Sequence, residues 1–559
     1  MFKALRKMVP LMLTAALVFA ACAQPAADTA APAQPPAQAQ AGNVPDGAAG
    51  DAAVGGAGGE LNVGIIGAPF DIASWTSNDL NASMITNIAF PRLMDIDETG
   101  MKVPFIVRDY SISDCGTQFT VEIHDGIYWH DGTPFTTADL YFTARYTVEN
   151  VLGHGADMFA GVDTMEIVSD TVIIYNLRAP AVNFLTQMGY WIQTIPKHIY
   201  ENVEDPFAFD HPAIGFGPFK IDSFTRGVYY SFVRVPNWPL ANNGEGALLD
   251  RVTFRVYQDA NALTLALRNG EIDASASTLP VASQRQLLND PDRFSVLSAP
   301  SLGFGYFGFS YRNPNLAIPE MRRAIAHTID RDALVDVALQ GGAIKMYHPI
   351  SPVFPELIAS DIRFPAFDID EANRILDEAG FLDVDGDGYR EDQNGNPMSF
   401  NIVYRTTTIN VDAIVSIFRD NAALAGIRIV LNPMEHAAYT ERVVQNRDFD
   451  INVIDWGVID DPDSSLATIY LSTAQLNFME FYNPAMDALL IASSQEPSFE
   501  RRVEIMDEFQ KLFVEELPTV NTWVRINAFG VSNDFGGWNL IPGVHGIMNA
   551  RELVQVYRR

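Results

Sequence analysis

Cysteine is almost absent from this 559-residue chain, which has only Cys22 and Cys115. Only Cys115 falls in what reads as the folded body, so that body can hold no internal disulfide. Lying between Asp114 and Gly116 with no recognisable histidine partner, Cys115 is poorly placed to be an activated nucleophile. Basic residues are also scarce: 37 Lys and Arg stand against 69 Asp and Glu, a formal charge of -32. Such an excess repels phosphate backbones and anionic lipid, which argues against nucleic-acid binding. It suits a soluble acidic protein, and attraction of a cationic solute is the other reading. After residue 21 there is no long apolar run, so nothing in the body spans a bilayer. The nine histidines are scattered, with only His124 and His130 close together, so a catalytic zinc site is not indicated. No nucleophile elbow, phosphate-binding loop or dinucleotide fingerprint stands out.

At the start of the chain Lys3, Arg6 and Lys7 precede an apolar run from Met8 to Ala21 that ends in small residues, the layout of a secretory signal over 1–21. Phe19-Ala20-Ala21-Cys22 resembles the lipobox of bacterial lipoproteins, with Phe19 where leucine is usual. Cleavage there leaves Cys22 to carry lipid; the alternative is an ordinary signal cut near Ala21. Residues 22–59 are dominated by Ala, Gln, Pro, Gly and Asp, which cannot bury enough surface to offset ordering entropy. They are expected to form a disordered tether. The body from Glu60 has about 500 residues, more than one core supports, so two lobes are expected.

Glu60–Ile66 alternates as a strand and stops at Gly67 and Pro69; 119–123 and 252–256 are further strands. Thr137 is placed to cap a helix with Asp139 in its first turn, and Asp259 one that ends at Gly270. Pro319 fits the first turn of a helix burying Met321, Ile325 and Ile329. Residues 401–404, 427–431 and the largely apolar 449–454 read as strands. Ser498 opens a helix with Val503, Met506, Phe509 and Phe513 on one face, closed by Pro518. Alternating strands and helices imply an α/β fold with mixed sheets.

Several collinear stretches carry a resemblance: Tyr128-Trp129-His130-Asp131-Gly132-Thr133-Pro134 leading to Ala138-Asp139, Pro196-Lys197-His198, Gly215-Phe216-Gly217-Pro218-Phe219, and Asn269-Gly270-Glu271-Ile272-Asp273. Arg322-Arg323-Ala324-Ile325-Ala326, Asp448-Phe449-Asp450, Trp456 with Asp461-Pro462-Asp463, and Asn483-Pro484-Ala485-Met486-Asp487 continue it. Together they are similar to the extracellular solute-binding proteins of ABC importers, family 5, the oligopeptide, dipeptide and nickel type. The resemblance implies a two-lobe clamp with a two-strand hinge near Tyr306–Ser310 and Val520–Val524. Lobe I would span 60–305 with an inserted subdomain at about 96–214, lobe II 306–522, and 523–559 would return to lobe I. It also implies a monomer on the outer face of the cytoplasmic membrane or in the periplasm. Such a protein hands a peptide, oligosaccharide or metal chelate to ABC permease subunits without changing it. An exported hydrolase using Asp460 and Asp461, or a surface receptor or adhesin, is the competing reading. Adjacent residues of an extended segment point apart, which makes those two a poor acid/base pair.

Asp455, Trp456, Gly457, Asp460 and Asp461 follow the apolar strand. In the family the tryptophan here lies in the pocket, and a carboxylate three residues later pairs with a peptide's ammonium; this chain has Ile459 there, with Asp460 next to it. Asp71, Ser74 and Trp75, after the first strand, form a second candidate set, because loops at strand ends place ligands in open α/β sheets. Phe216, Tyr306, Tyr404 and His436 complete the expected contacts. No cofactor is required. Asp383, Asp385, Asp387 and Tyr389 match the first half of a calcium loop over 383–394, with Asn394 at the twelfth position in place of a bidentate Glu. A solvated acidic turn is the alternative.

Overall fold

The computed structural model describes residues 58–559 except 70, 77–78, 458–460 and 544. The expected signal segment, Cys22, nearly all of the tether and Asp460 lie outside the described residues. Strand Glu60–Ile66 buries Leu61, Val63 and Ile65 and runs parallel to Arg251–Tyr257 and Ala274–Ser275. Ala274 pairs in turn with Val531, in the fourteen-residue strand Thr519–Ser532. On the other side of that strand lie Gly305–Phe309, Ile451–Asp455, Phe400–Arg405 and Ile429–Met434. One mixed sheet therefore runs through both lobes, and Thr519–Ser532 belongs to each.

The first half of the long strand pairs with Gly305–Phe309 and Ala343–Lys345, and its second half with Phe294–Pro300. The chain thus crosses between lobes at 301–304 and again at 525–526. Tyr306 and Val520, expected in the crossings, already lie in the second lobe's sheet. Close approach explains the position. A Cβ on Gly303 would stand 1.8 Å from the Trp456 carbonyl oxygen, and one on Gly305 1.9 Å from the Trp523 indole.

Within lobe I, Val107–Ile112, Gln118–Ile123, Val172–Leu177 and Val162–Ile167 form a separate antiparallel sheet. Its neighbouring helix, Thr137–Asn150, is capped by Thr136, one residue before the expected Thr137. The Thr136 hydroxyl accepts from Ala138 N, and Asp139 accepts from Thr136 N. Thr137 instead donates its hydroxyl to the Ser169 carbonyl. Asp259, Asp368, Asn483 and Ser498 cap helices as their side-chain chemistry dictates. Among the described residues no helix is long and apolar enough to cross a membrane.

The second lobe's sheet is covered on both faces. One face holds Phe307, Phe309, Ile402, Tyr404 and Val453. The other holds Tyr306, Val403 and Ile454, and its apolar cluster also takes in Ile96, Tyr190 and Ile541 from the first lobe. Arg331, 3% exposed, ties the second lobe together without a carboxylate: its guanidinium donates to the carbonyls of Met346 (2.7 Å), Asn521 (2.9 and 3.1 Å) and Pro365 (3.1 Å).

Asp95, 1% exposed, accepts from Ile96 N and from the Asn549 amide. Burial pushes its carboxyl from 3.8 up to about 6, against the Asn549 and Ile96 hydrogen bonds and the Arg92 charge. The folded chain therefore holds a proton that the unfolded chain has released. This contribution to stability is complete below pH 3.8 and is lost as the pH rises through about 6. Asp95→Asn keeps the oxygen that accepts from Asn549 and removes the buried charge. It should raise unfolding free energy at pH 8 by on the order of 2 kcal/mol and change it little at pH 3. Urea titrations at the two pH values check this; equal effects at both would contradict it.

Candidate functional site

Strands Phe400–Arg405, Ile429–Met434 and Ile451–Asp455 are parallel and end along one edge of the second lobe. Ligands in open α/β sheets sit beyond such carboxyl ends. Arg405, the short helix His436–Tyr439 and the segment from Asp455 to Gly457 occupy this edge. Trp456 N donates to the Phe304 carbonyl at 2.9 Å, and Ser301 Oγ to the Gly457 carbonyl at 3.2 Å, so the segment is stitched to the first interlobe crossing. The Trp456 ring is half-buried, lies nearly parallel to Phe478 at 6.4 Å and packs on the cluster shared by the lobes.

Asp455 differs from the expected open carboxylate. Its side chain is bonded to the Arg525 guanidinium, which also donates to the Ile409 carbonyl at 2.9 Å. The long strand carries Arg525 past the end of Ile451–Asp455, so this charge is already paired. Tyr306 is fully buried on the face toward the shared cluster, and burial raises its hydroxyl well above 10. Tyr404 lies on the opposite face, in the core under Gly305–Phe309, with its hydroxyl raised to about 12 by burial and Asp412. Alternation brings up its neighbour Arg405 instead, 5.5 Å from the Tyr439 ring. His436 is exposed, while Tyr439 three residues later is buried. Asp461 is half-buried, and its carbonyl accepts from Ser465 N in helix Pro462–Tyr470.

In the first lobe, Trp75 packs in the core, with the rings of Phe90, Tyr200 and His211 meeting it edge-on at 5.5, 5.8 and 6.0 Å. Its expected place on the cleft face gives way to a core position, because the rings around it come from remote parts of the same lobe. Asp71 accepts from Ile72 N at 2.7 Å and lies 3.6 Å from the His211 imidazole and 3.7 Å from Arg226. Phe216 is a core residue, stacked on Phe135 at 4.2 Å and edge-on to Trp129 at 5.0 Å. The first-lobe aromatics that meet the second lobe are Tyr190 and Trp191, beside Arg92, whose guanidinium stands 4.2 Å from the Tyr190 ring. Val182 N donates to the Ser494 carbonyl across the lobes at 3.3 Å, and a Cβ on Gly100 would touch Val353. The lobes thus also touch outside the two crossings.

Asp383, Asp385 and Asp387 bring carboxylate oxygens within 4.8 Å of one another. Asp383 already accepts from Gly386 N and Gly388 N, and Asp387 from Tyr389 N. Arg428 donates to Asp387 at 2.7 Å and lies over the Tyr389 ring at 3.9 Å. The Tyr389 carbonyl was the expected fourth ligand; its ring holds the cation that offsets the cluster.

Residues 103–477 match the model for bacterial extracellular solute-binding proteins, family 5. The chain belongs to this family. Over 507 residues it is 26% identical to the oligopeptide-binding protein AppA of Bacillus subtilis, covering 87% of this chain and 90% of that one. The ABC transporter substrate-binding protein CtaP of Listeria monocytogenes superposes with a TM-score of 0.78 at 24% identity, covering 90% of this chain and 99% of that one. AppA of B. subtilis, solved with a nonapeptide, gives 0.71 at 23% identity over 90% and 100%. The two-lobe architecture and the family place this solute-binding protein outside the cytoplasm as the substrate-binding component of an ABC transporter, in a family of transport rather than catalysis.

Arg405, Tyr439 and Asn452 escaped the sequence reading. Asn452 had a usable signal, as a polar residue between Ile451 and Val453 in a largely apolar strand.

Proposed function

We propose that this solute-binding protein takes a peptide or an oligosaccharide between its lobes, with a metal chelate as the third class, and passes it unchanged to ABC permease subunits. The observation that carries this reading is the Trp456 indole, set at the ends of three parallel strands and against the aromatic cluster common to both lobes. It works as a monomer, anchored by lipid on Cys22. Asp383, Asp385 and Asp387 form a separate proposed calcium site, which a calcium-dependent rise in melting temperature would support and an unchanged one would reject. The function is tested by native mass spectrometry of whatever co-purifies, followed by incubation with that solute. Stoichiometric recovery of unchanged solute and a smaller radius of gyration at saturation are expected. Multiple turnover to a product, or a saturated protein of unchanged dimensions, would overturn the reading.

A further inference from the structure

The Asp455–Arg525 ion pair joins two strands that are not neighbours in the sheet. Arg525 stands on the long strand where the chain crosses between lobes, and Asp455 ends Ile451–Asp455. Between them runs the start of Gly305–Phe309, in which Gly305 pairs with Asp455 on one side and with Trp523 on the other. The two side chains therefore reach over an intervening strand, a span of two sheet spacings, roughly 10 Å. Arginine has the length for this, and a further nitrogen of its fork donates to the Ile409 carbonyl at 2.9 Å, in the loop after Phe400–Arg405. The side chains are only 24% and 12% exposed for Arg525 and Asp455, so their charge-assisted bond is screened less than one at an open surface.

Backbone bonds complete a circuit around the first crossing. Ser301 N donates to the Arg525 carbonyl at 2.7 Å, the Ser301 hydroxyl to the Gly457 carbonyl, and Trp456 N to the Phe304 carbonyl. Arg525, Ser301, Gly457, Trp456 and Asp455 thus hold both crossings and the Trp456 segment as one unit. Crossing residues are where a hinge absorbs its change of backbone angle. A turn of one lobe against the other carries Trp456 with it as long as the circuit stays closed.

Resting on the solute-binding reading above, we propose that the Asp455–Arg525 pair is a strap that fixes Trp456 to the interlobe crossings, which makes Arg525 a positioning residue for solute capture.

Two readouts test it, one of them independent of solute. Hydrogen exchange followed by mass spectrometry reads the amides of Ser301 and Trp456, both bonded within the circuit. In Arg525→Gln and in Asp455→Asn these should exchange at least fivefold faster, while Ile402 and Val453, in the parallel strands of the same sheet, keep wild-type rates. Calorimetric titration with trialanine and with maltotriose should show each variant binding the accepted probe at least fivefold more weakly. The double variant should lie within about twofold of the weaker single one, because either substitution alone already opens the pair. Arg525→Lys keeps the charge but cannot hold Asp455 and Ile409 together, so it should fall between wild type and Arg525→Gln. Wild-type exchange at Ser301 and Trp456, or wild-type affinity for an accepted probe, overturns the strap. Faster exchange across the whole second lobe with a lower melting temperature marks the pair as an ordinary stabilising contact and overturns it too. Where neither probe binds the wild type, the exchange result alone decides the strap; failure of both probes with no co-purifying solute refutes solute binding, so the two failures are told apart.

Discussion

Trp456→Ala weakens binding of the co-purified solute at least tenfold, a loss of about 1.4 kcal/mol or more, while the chain stays folded. The indole is only half-buried and stands on a segment whose backbone is held by the Phe304 carbonyl and the Ser301 hydroxyl, bonds that the substitution leaves in place. Aromatic anchors at the centre of a closing interface commonly cost about 2 kcal/mol when truncated. Isothermal titration and thermal melting separate the outcomes. A variant that melts earlier but binds as tightly as the wild type would make Trp456 a packing residue and remove it from the site.

Arg331→Ala produces the largest loss of stability, about 3–5 kcal/mol, comparable with truncating one member of a buried charged network. The guanidinium is enclosed, and burial lowers its pKa to about 10. It spans carbonyls from Met346, Pro365 and Asn521, three segments well apart in the sequence. Removing it leaves those oxygens buried and unpaired. Lysine has one nitrogen with which to answer a fork of three, so Arg331→Lys should recover less than half of the loss. Urea midpoints measure both variants, and wild-type melting of Arg331→Ala would show that the carbonyls find other donors.

Much of the frame was legible because its signals are local. Asp259 with Gly270 bounds one helix and Ser498 with Pro518 bounds another, and each boundary needs only side chains a few residues away. Thr136 and Thr137 differ by one position and offer the same hydroxyl, so chemistry alone does not choose between them; Asp139, three residues after Thr136, does. The site was harder to read for reasons of parity and distance. Phe400–Arg405 is covered on both faces, so its composition does not reveal that Tyr404 points to one core while Arg405 turns to the Tyr439 ring. Trp75 sits in a polar-looking loop, and only the fold shows that Phe90, Tyr200 and His211 close around it. Asp455 looked available because its partner, Arg525, lies 70 residues later.

The long strand Thr519–Ser532 also sets an order of assembly. The second lobe's parallel strands lie within 400–455 and can meet as soon as that stretch is available. The first lobe has a different history, because Ala274 and Phe294–Pro300 wait for Ile526–Ser532. Until residues 526–532 emerge, that sheet keeps a raw edge, and closing it joins residues more than two hundred positions apart, a slow step for any chain. A nascent chain of this design holds its first lobe open until Ile526–Ser532 can return to it.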